Sequence, residues 1–124
     1  MELEDFFRSY IETEEEPVVI CDLDFRIIYM NRASAVANER FGGYDLIGKS
    51  LNTFMDLETQ SKINMVVEWF KESKDNNITF ALRENDNNTD AYIAALRDRD
   101  GNLIGFCNKR RCRTPDDSEP YEVV

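Results

Sequence analysis

The sequence contains no histidine among its 124 residues. This absence excludes histidine-ligated haem, histidine-containing zinc sites, Ser/His and Cys/His nucleophile pairs, and autophosphorylation on histidine. Cysteine is also scarce: Cys21, Cys107 and Cys112 lack the short C-x2-C spacing of a metal site, and we expect reduced thiols. With no catalytic signature in the chain, we expect a protein that is not an enzyme.

The chain has no apolar run near the roughly 18 residues that a membrane span needs, and no signal-peptide pattern at its start. We therefore expect a cytoplasmic protein without a membrane span. The net charge of −10 lies in the flanks, with seven acids and one base in residues 1–16 and four acids and no base in residues 114–124. Residues 17–113 are neutral, so we expect no direct binding of nucleic acid, which requires a basic surface.

The hydrophobic pattern divides the chain into an N-terminal amphipathic helix (1–16), a globular domain (17–113) and an acidic flexible tail (114–124). Helical spacing of apolar residues predicts the helix over Glu2–Glu14, and Pro17 ends it. The predicted apolar face of this helix, which we expect to form a homodimer interface, consists of Leu3, Phe6, Phe7, Tyr10 and Ile11. The alternative is that this face covers the outer face of its own sheet, alone or in addition to the dimer contact.

Within the domain, apolar β-branched runs predict strands at Val18–Asp22 and Ile27–Met30. Asn31 is a good N-cap for a helix over Arg32–Asn38, because its side-chain oxygen can accept from a first-turn amide. Apolar residues at helical spacing predict a longer helix near Glu58–Lys74. Three more strands are predicted at Ile78–Arg83, Ala91–Leu96 and Leu103–Cys112. This order predicts an α+β fold: a five-stranded antiparallel sheet with short helices and one long helix on one face.

In this order and spacing, the segments resemble a PAS domain over residues 18–114. Val18–Asp22 is similar to the family's first strand, and Arg26–Asn31 resembles its strand that ends in Asn. Leu46–Leu51 is similar to the family's liGk.l segment, and Asp98–Gly105 to its D.dG.i.G hairpin. The resemblance implies that Val18–Asp22 is central in the sheet, beside the last strand.

The resemblance also implies a cavity between the long helix and the sheet, where family members hold sensory ligands. Alternation along the strands then places Gly105 inward and Phe106 on the outer face. The predicted cavity-lining residues are Val19, Cys21, Asn31, Ile63, Val66, Val67, Phe70, Phe80, Leu82, Ile93, Ala95 and Cys107. Two alternatives stay open: these side chains form a packed core without a ligand, and Asn31 only caps the helix that follows.

Two cofactors known in this family do not fit the chain. The flavin-adduct (LOV) light sensors carry a cysteine in an Asn-Cys-Arg-Phe-Leu segment, whereas Lys49–Thr53 stands at the matching place here. Haem-binding members need an axial histidine on the long helix, which is missing. We expect neither haem nor covalent flavin, and the residues identify no other cofactor.

The resemblance implies a signal-transduction sensor module that binds a small ligand, relays a signal through dimerisation, or does both. Its effector would be a histidine kinase, a diguanylate cyclase or a transcription regulator, in trans or in a longer parent protein. The alternative is a constitutive dimerisation module with a filled core. A third hypothesis, an enzyme that uses a buried carboxylate, has only Glu84 as an inward-facing acid.

The basic run Lys109–Arg113 is unusual at the end of a buried strand. We expect it to pair with Glu14–Glu16 beside it, with an anion site as the alternative. The family often has Asp-x-Thr here, where this chain has Cys112-Arg113-Thr114. Cys21 and Cys107 are predicted to face inward on neighbouring strands, so a redox switch is a further alternative.

Overall fold

The structure, a computed structural model, describes residues 2–121; the last three residues of the predicted acidic tail and Met1 lie outside the described residues. Three short 3-10 helices, 39–41, 43–46 and 51–53, lie between the second and third α-helices of this range. The α-helices and strands are α1 (Leu3–Glu12), β1 (Val18–Asp22), β2 (Ile27–Met30), α2 (Arg32–Ala37), α3 (Leu57–Glu72), β3 (Ile78–Glu84), β4 (Thr89–Arg97) and β5 (Leu103–Cys112).

The strands form one antiparallel sheet in the order β2-β1-β5-β4-β3. β1 is an interior strand that pairs with β5, so that Val18 lies opposite Lys109 and Asp22 lies opposite Gly105. This arrangement confirms the predicted α+β fold and the pairing of the first strand with the last.

The core lies between α3 and one face of the sheet. From α3, the side chains of Ile63, Val67 and Phe70 are buried against it. Asp56 caps the start of α3, where its side-chain oxygen accepts a hydrogen bond of 2.8 Å from the amide of Thr59. The side chains that fill the core from the rest of the chain include Val19, Cys21, Ile27, Met30, Ala35, Leu46, Leu51, Ile93 and Phe106. Burial of each large apolar side chain contributes about 2 kcal/mol.

Arg97, at the end of β4, holds the C-terminal end of α3. Its Nη2 donates to the backbone oxygens of Phe70 (2.8 Å), Ser73 (3.1 Å) and Asn76 (3.1 Å), and its Nε donates to Asn77 Oδ1 (2.8 Å). The guanidinium therefore satisfies carbonyls that a helix end leaves without partners, and its positive charge suits the negative end of the helix dipole.

β5 contains one residue more than its partner strand at the start of their pairing. Leu96 lies opposite Gly105, whereas the next residue of β4, Arg97, lies opposite Leu103. Ile104 is therefore the extra residue of a β-bulge. The bulge shifts the alternation of β5 by one residue for the rest of the strand.

The bulge reverses the predicted orientation of the β5 side chains. Phe106 lies opposite Cys21, on the side of α3, and is fully buried. Cys107 lies opposite Ile20, on the other face of the sheet. The predictions that Gly105 and Cys107 face inward and Phe106 outward are therefore wrong, because they assume uninterrupted alternation.

A second bulge changes the orientation of β3. Phe80 lies opposite Tyr92 and Leu82 opposite Ala91, so Ala81 is the extra residue. Phe80 is on the face away from α3, with its ring centroid 5.5 Å from that of Tyr92. Leu82 is on the side of α3 but is 50% exposed. Neither side chain reaches the core, and the prediction that both line its interior is wrong.

Candidate functional site

The interior between α3 and the sheet is filled by the protein's own side chains. Of the predicted cavity-lining residues, Val19, Cys21, Ile63, Val67, Phe70 and Ile93 are buried in one packed cluster, and Val66 and Ala95 lie partly buried against it. Two shallow depressions that are open to solvent lie elsewhere, beside α2. This geometry favours the alternative of a filled core, and ligand binding by these residues stays a prediction.

Asn31 is buried, and its side chain makes four hydrogen bonds within the chain. Its Oδ1 accepts from the amides of Val18 (2.9 Å) and Ser34 (3.0 Å), and its Nδ2 donates to the carbonyls of Glu14 (3.2 Å) and Glu16 (3.0 Å). These four bonds use both hydrogens and both lone pairs of the amide. Asn31 therefore caps α2 as predicted, and it also ties the linker after α1 to β1, a contact that its residue type alone does not predict.

Glu12 makes a second connection between α1 and the domain. Its Oε1 accepts from the Tyr29 hydroxyl (3.1 Å) and from the amide of Arg32 (3.1 Å). Partial burial, together with this hydrogen bond to Glu12, raises the pKa of Tyr29. The end of α1 is thus attached to both β2 and α2.

The three cysteines are free, and they lie in different surroundings. Burial, reinforced by the negative charge of Asp22, raises the pKa of Cys21 to about 12. Burial also raises the pKa of Cys107, which lies on the opposite face of the sheet. This separation does not support the redox switch considered from the sequence, since the two thiols do not share a face. Cys112 is exposed.

We therefore expect a single fast-reacting thiol in the native protein, because the thiolate is the reactive form and burial suppresses it at Cys21 and Cys107. Titration with Ellman's reagent at neutral pH should detect one fast-reacting thiol per chain in the native protein and three thiols per chain after unfolding in guanidinium chloride. A Cys112→Ser variant should react only after unfolding. Fast modification of that variant in native buffer would contradict the expectation.

The basic run at the end of β5 pairs with the β3–β4 hairpin. Arg110 Nη1 lies 2.6 Å from Glu84 Oε2, and Arg113 Nε lies 3.4 Å from Asp90 Oδ1. Among residues 2–121, no ion pair joins this run to Glu14–Glu16, so the predicted pairing is wrong. Arg110 holds the pKa of Glu84 below its usual range, which is the opposite of what a general acid at neutral pH requires.

The residues that follow β5, Arg113 and Thr114, contact the same β3–β4 hairpin. The amide of Arg113 donates to the Asn88 carbonyl (2.9 Å), and Asn88 Nδ2 donates to Thr114 Oγ1. Arg113 Nη2 also donates to the Glu84 carbonyl (3.0 Å). The exit of the chain is thus anchored without the aspartate that the family often has here.

The apolar face of α1 lies open to solvent. Leu3, Phe6, Phe7 and Tyr10 are 59–68% exposed, and no residue described in this helix is buried. Ile11 alone among the predicted interface residues is half-buried. The sheet face opposite α3 is also partly uncovered, with Ile78 and Phe80 exposed beside the half-buried Ile20 and Tyr92.

Residues 2–121 contain no group of three His, Cys, Asp or Glu side chains arranged to hold a metal ion. None of the helices in this range is both long enough and apolar enough to span a bilayer.

No protein-family model and no curated protein matches the sequence. Solved structures do match it. The PAS domain of a Colwellia psychrerythraea protein has a TM-score of 0.64 at 14% identity, covering 90% of this chain and 97% of that one. A sensory box sensor histidine kinase from Vibrio cholerae has a TM-score of 0.60 at 13% identity, covering 86% of this chain and 89% of that one.

A third structure is the Vibrio cholerae VqmA dimer, described in connection with the DNA-binding mechanisms of LuxR-type receptors. Its TM-score is 0.57 at 17% identity, and the match covers 92% of this chain and 53% of that one. At these identities the likeness concerns the fold, and it confirms what the segments Leu46–Leu51 and Asp98–Gly105 predicted. The chain has the PAS fold, which it shares with sensor and signalling proteins.

Proposed function

We propose that this chain is a non-catalytic PAS signalling module that relays a signal through homodimerisation, with its core filled by its own side chains. The observation that carries the proposal is the uncovered apolar face of α1, together with a core in which the buried side chains pack against one another. The structural neighbours support it, since they include a sensor histidine kinase and a dimeric receptor connected with DNA binding.

The length of α1 explains why it needs a partner. Isolated helices shorter than about 12 residues are marginal in water, and α1 has 10 residues with no buried side chain. Burying two or three aromatic side chains contributes on the order of several kcal/mol. That is enough to hold a dimer after the costs of association, provided that both copies contribute.

The charge of the N-terminal segment opposes association. Residues 1–16 carry seven acids and one base, and two such segments repel each other across a two-fold axis. Salt screens this repulsion while leaving the apolar contact intact. Dimerisation should therefore strengthen as the ionic strength rises.

The output passes from α1 to an effector, which we propose to be a histidine kinase, a diguanylate cyclase or a transcription regulator, in trans or in a longer parent protein. Asn31 and Glu12 connect α1 to the sheet and to α2, so two arrangements of α1 would be two states of the whole module. Three free cysteines support our proposal of a cytoplasmic location.

The test is a Phe6→Glu, Phe7→Glu double variant, which removes the centre of the exposed face and which we expect to be monomeric. Sedimentation velocity at micromolar concentration should show a dimer for the wild type and a monomer for the variant, with unchanged circular dichroism of the sheet. Ser9→Glu is the matched control, since it adds an acid to the same helix outside the five-residue apolar face.

A monomeric wild type, or a double variant that remains dimeric, would contradict the proposal. Mass spectrometry under native conditions adds a separate measurement. A small molecule that stays with the purified protein would favour the ligand-binding sensor over the filled-core module.

A further inference from the structure

We infer that a groove over α2 is a docking site for a basic peptide segment of another protein. The groove consists of two adjoining depressions that share Arg32 and Val36. One runs from α2 to the linker after α1, and the other runs from α2 to the 3-10 helix at 43–46. We call their union the α2 groove; its walls are separate from the residues proposed to form the dimer interface.

The α2 groove is lined in part by apolar residues, which we call its floor: Pro17, Ala33, Val36 and Tyr44. Val36 is 62% exposed and Tyr44 is 48% exposed, although Ser34 and Ala35 beside Val36 are buried. Exposed apolar surface in this shallow depression offers a place for an apolar side chain of a partner.

The α2 groove is also lined by four acidic residues, which we call its rim: Glu12, Glu14, Glu15 and Glu39, beside the single cation Arg32. No Lys or Arg among residues 2–121 forms an ion pair with Glu14, Glu15 or Glu39. These four carboxylates therefore give the rim a net negative charge, which Arg32 offsets only in part.

An apolar floor with an acidic rim is complementary to a segment that presents one or two apolar side chains among lysines or arginines. Opposite charges around the rim would speed the encounter and set the orientation, while the apolar contact would supply most of the binding energy. Nucleic acid and free anions would be repelled by the same rim. The occupant we propose is thus a basic, apolar-anchored peptide of another protein.

The test uses a short fluorescein-labelled synthetic peptide of leucine and lysine at helical spacing, titrated with protein at physiological ionic strength and followed by fluorescence anisotropy. Saturable binding is expected, with none for the same peptide carrying glutamate in place of lysine. Amide shifts in 15N-1H spectra should locate the contact at Ala33, Val36 and Gly43.

Two variants test the two parts of the groove. We expect Glu39→Lys to weaken binding about fivefold through the rim and Val36→Ser to weaken it by a similar factor through the floor. Asp86→Lys is the matched control, because it makes the same change in net charge in the β3–β4 turn and should alter affinity less than twofold.

Absence of saturable binding overturns the inference, as does equal weakening by Glu39→Lys and Asp86→Lys, which would reduce the interaction to attraction by net charge. Sedimentation of the same variants distinguishes this surface from the proposed dimer. If Val36→Ser or Glu39→Lys dissociates a wild-type dimer, the groove holds a second copy of this chain, and the inference of a separate partner fails.

Discussion

Gly105→Ala should lower the free energy of unfolding by about 3 kcal/mol or more. A Cβ at this position would overlap the carbonyl oxygen of Cys21 and lie 3.2 Å from its carbonyl carbon. Both atoms belong to the backbone of an interior strand, so no side-chain rotation can relieve the overlap. Either β1 or β5 would have to move, and with it the pairing of Asp22 with Gly105.

Urea unfolding followed by the fluorescence of Trp69, the single tryptophan, measures this loss. Gly48→Ala is the comparison, because Gly48 has a φ of +90° but no atom within 4 Å of an added Cβ. Gly48→Ala should lower the free energy of unfolding by about 1 kcal/mol, which comes from the backbone conformation alone. An unchanged urea midpoint for Gly105→Ala would contradict the close approach of β5 to β1 at this residue.

Asn31→Leu should destabilise the protein by about 3 kcal/mol, since it leaves four buried or partly buried backbone groups without their partner. These groups are the amides of Val18 and Ser34 and the carbonyls of Glu14 and Glu16. Thermal or urea unfolding measures the effect. Asn64→Leu, at an exposed position of α3, should change stability by less than about 0.5 kcal/mol. Equal effects of the two substitutions would contradict the role given to Asn31.

Asn31→Asp sharpens this test through pH. The carboxylate keeps the acceptor role but faces the carbonyls of Glu14 and Glu16, so burial and repulsion should raise its folded pKa above the unfolded value of about 3.9. A raised folded pKa means that stability is fully present below the unfolded pKa and is lost as the pH rises toward the folded pKa. The free energy of unfolding of Asn31→Asp, relative to that of the wild type, should therefore fall as the pH rises from acidic to neutral. A pH-independent difference would contradict the expected rise in the pKa of this carboxyl.

The elements of the fold follow from local patterns, whereas the bulges do not. Strand residues Val18–Asp22 and Ile27–Met30 and the cap at Asn31 are where apolar runs and side-chain chemistry predict them. The orientation of the β5 side chains cannot be predicted in this way. The residues around Ile104 are apolar on both faces of the strand, so the hydrophobic pattern does not reveal the extra residue. Gly105 was the available signal, since glycine within a strand often marks a bulge or a close backbone approach.

The contacts that connect α1 and the exit of β5 to the domain depend on tertiary structure. Asn31 can be identified as a cap from its residue type, but its bonds to Glu14 and Glu16 require the path of the linker. The partners of Arg110 and Arg113 likewise depend on the register of β4 against β5. A run of basic residues in the sequence indicates that acidic partners are needed, but it does not indicate which residues those partners are.

The guanidinium of Arg97 has a consequence for how the protein opens. It binds the last carbonyls of α3 and, through Nη1, the carbonyl of Gly101 in the β4–β5 turn (3.1 Å). Fraying of the helix end or opening of the hairpin turn therefore breaks hydrogen bonds of the same guanidinium. Segments separated by about 30 residues of chain are thereby joined into one cooperative unit of local unfolding.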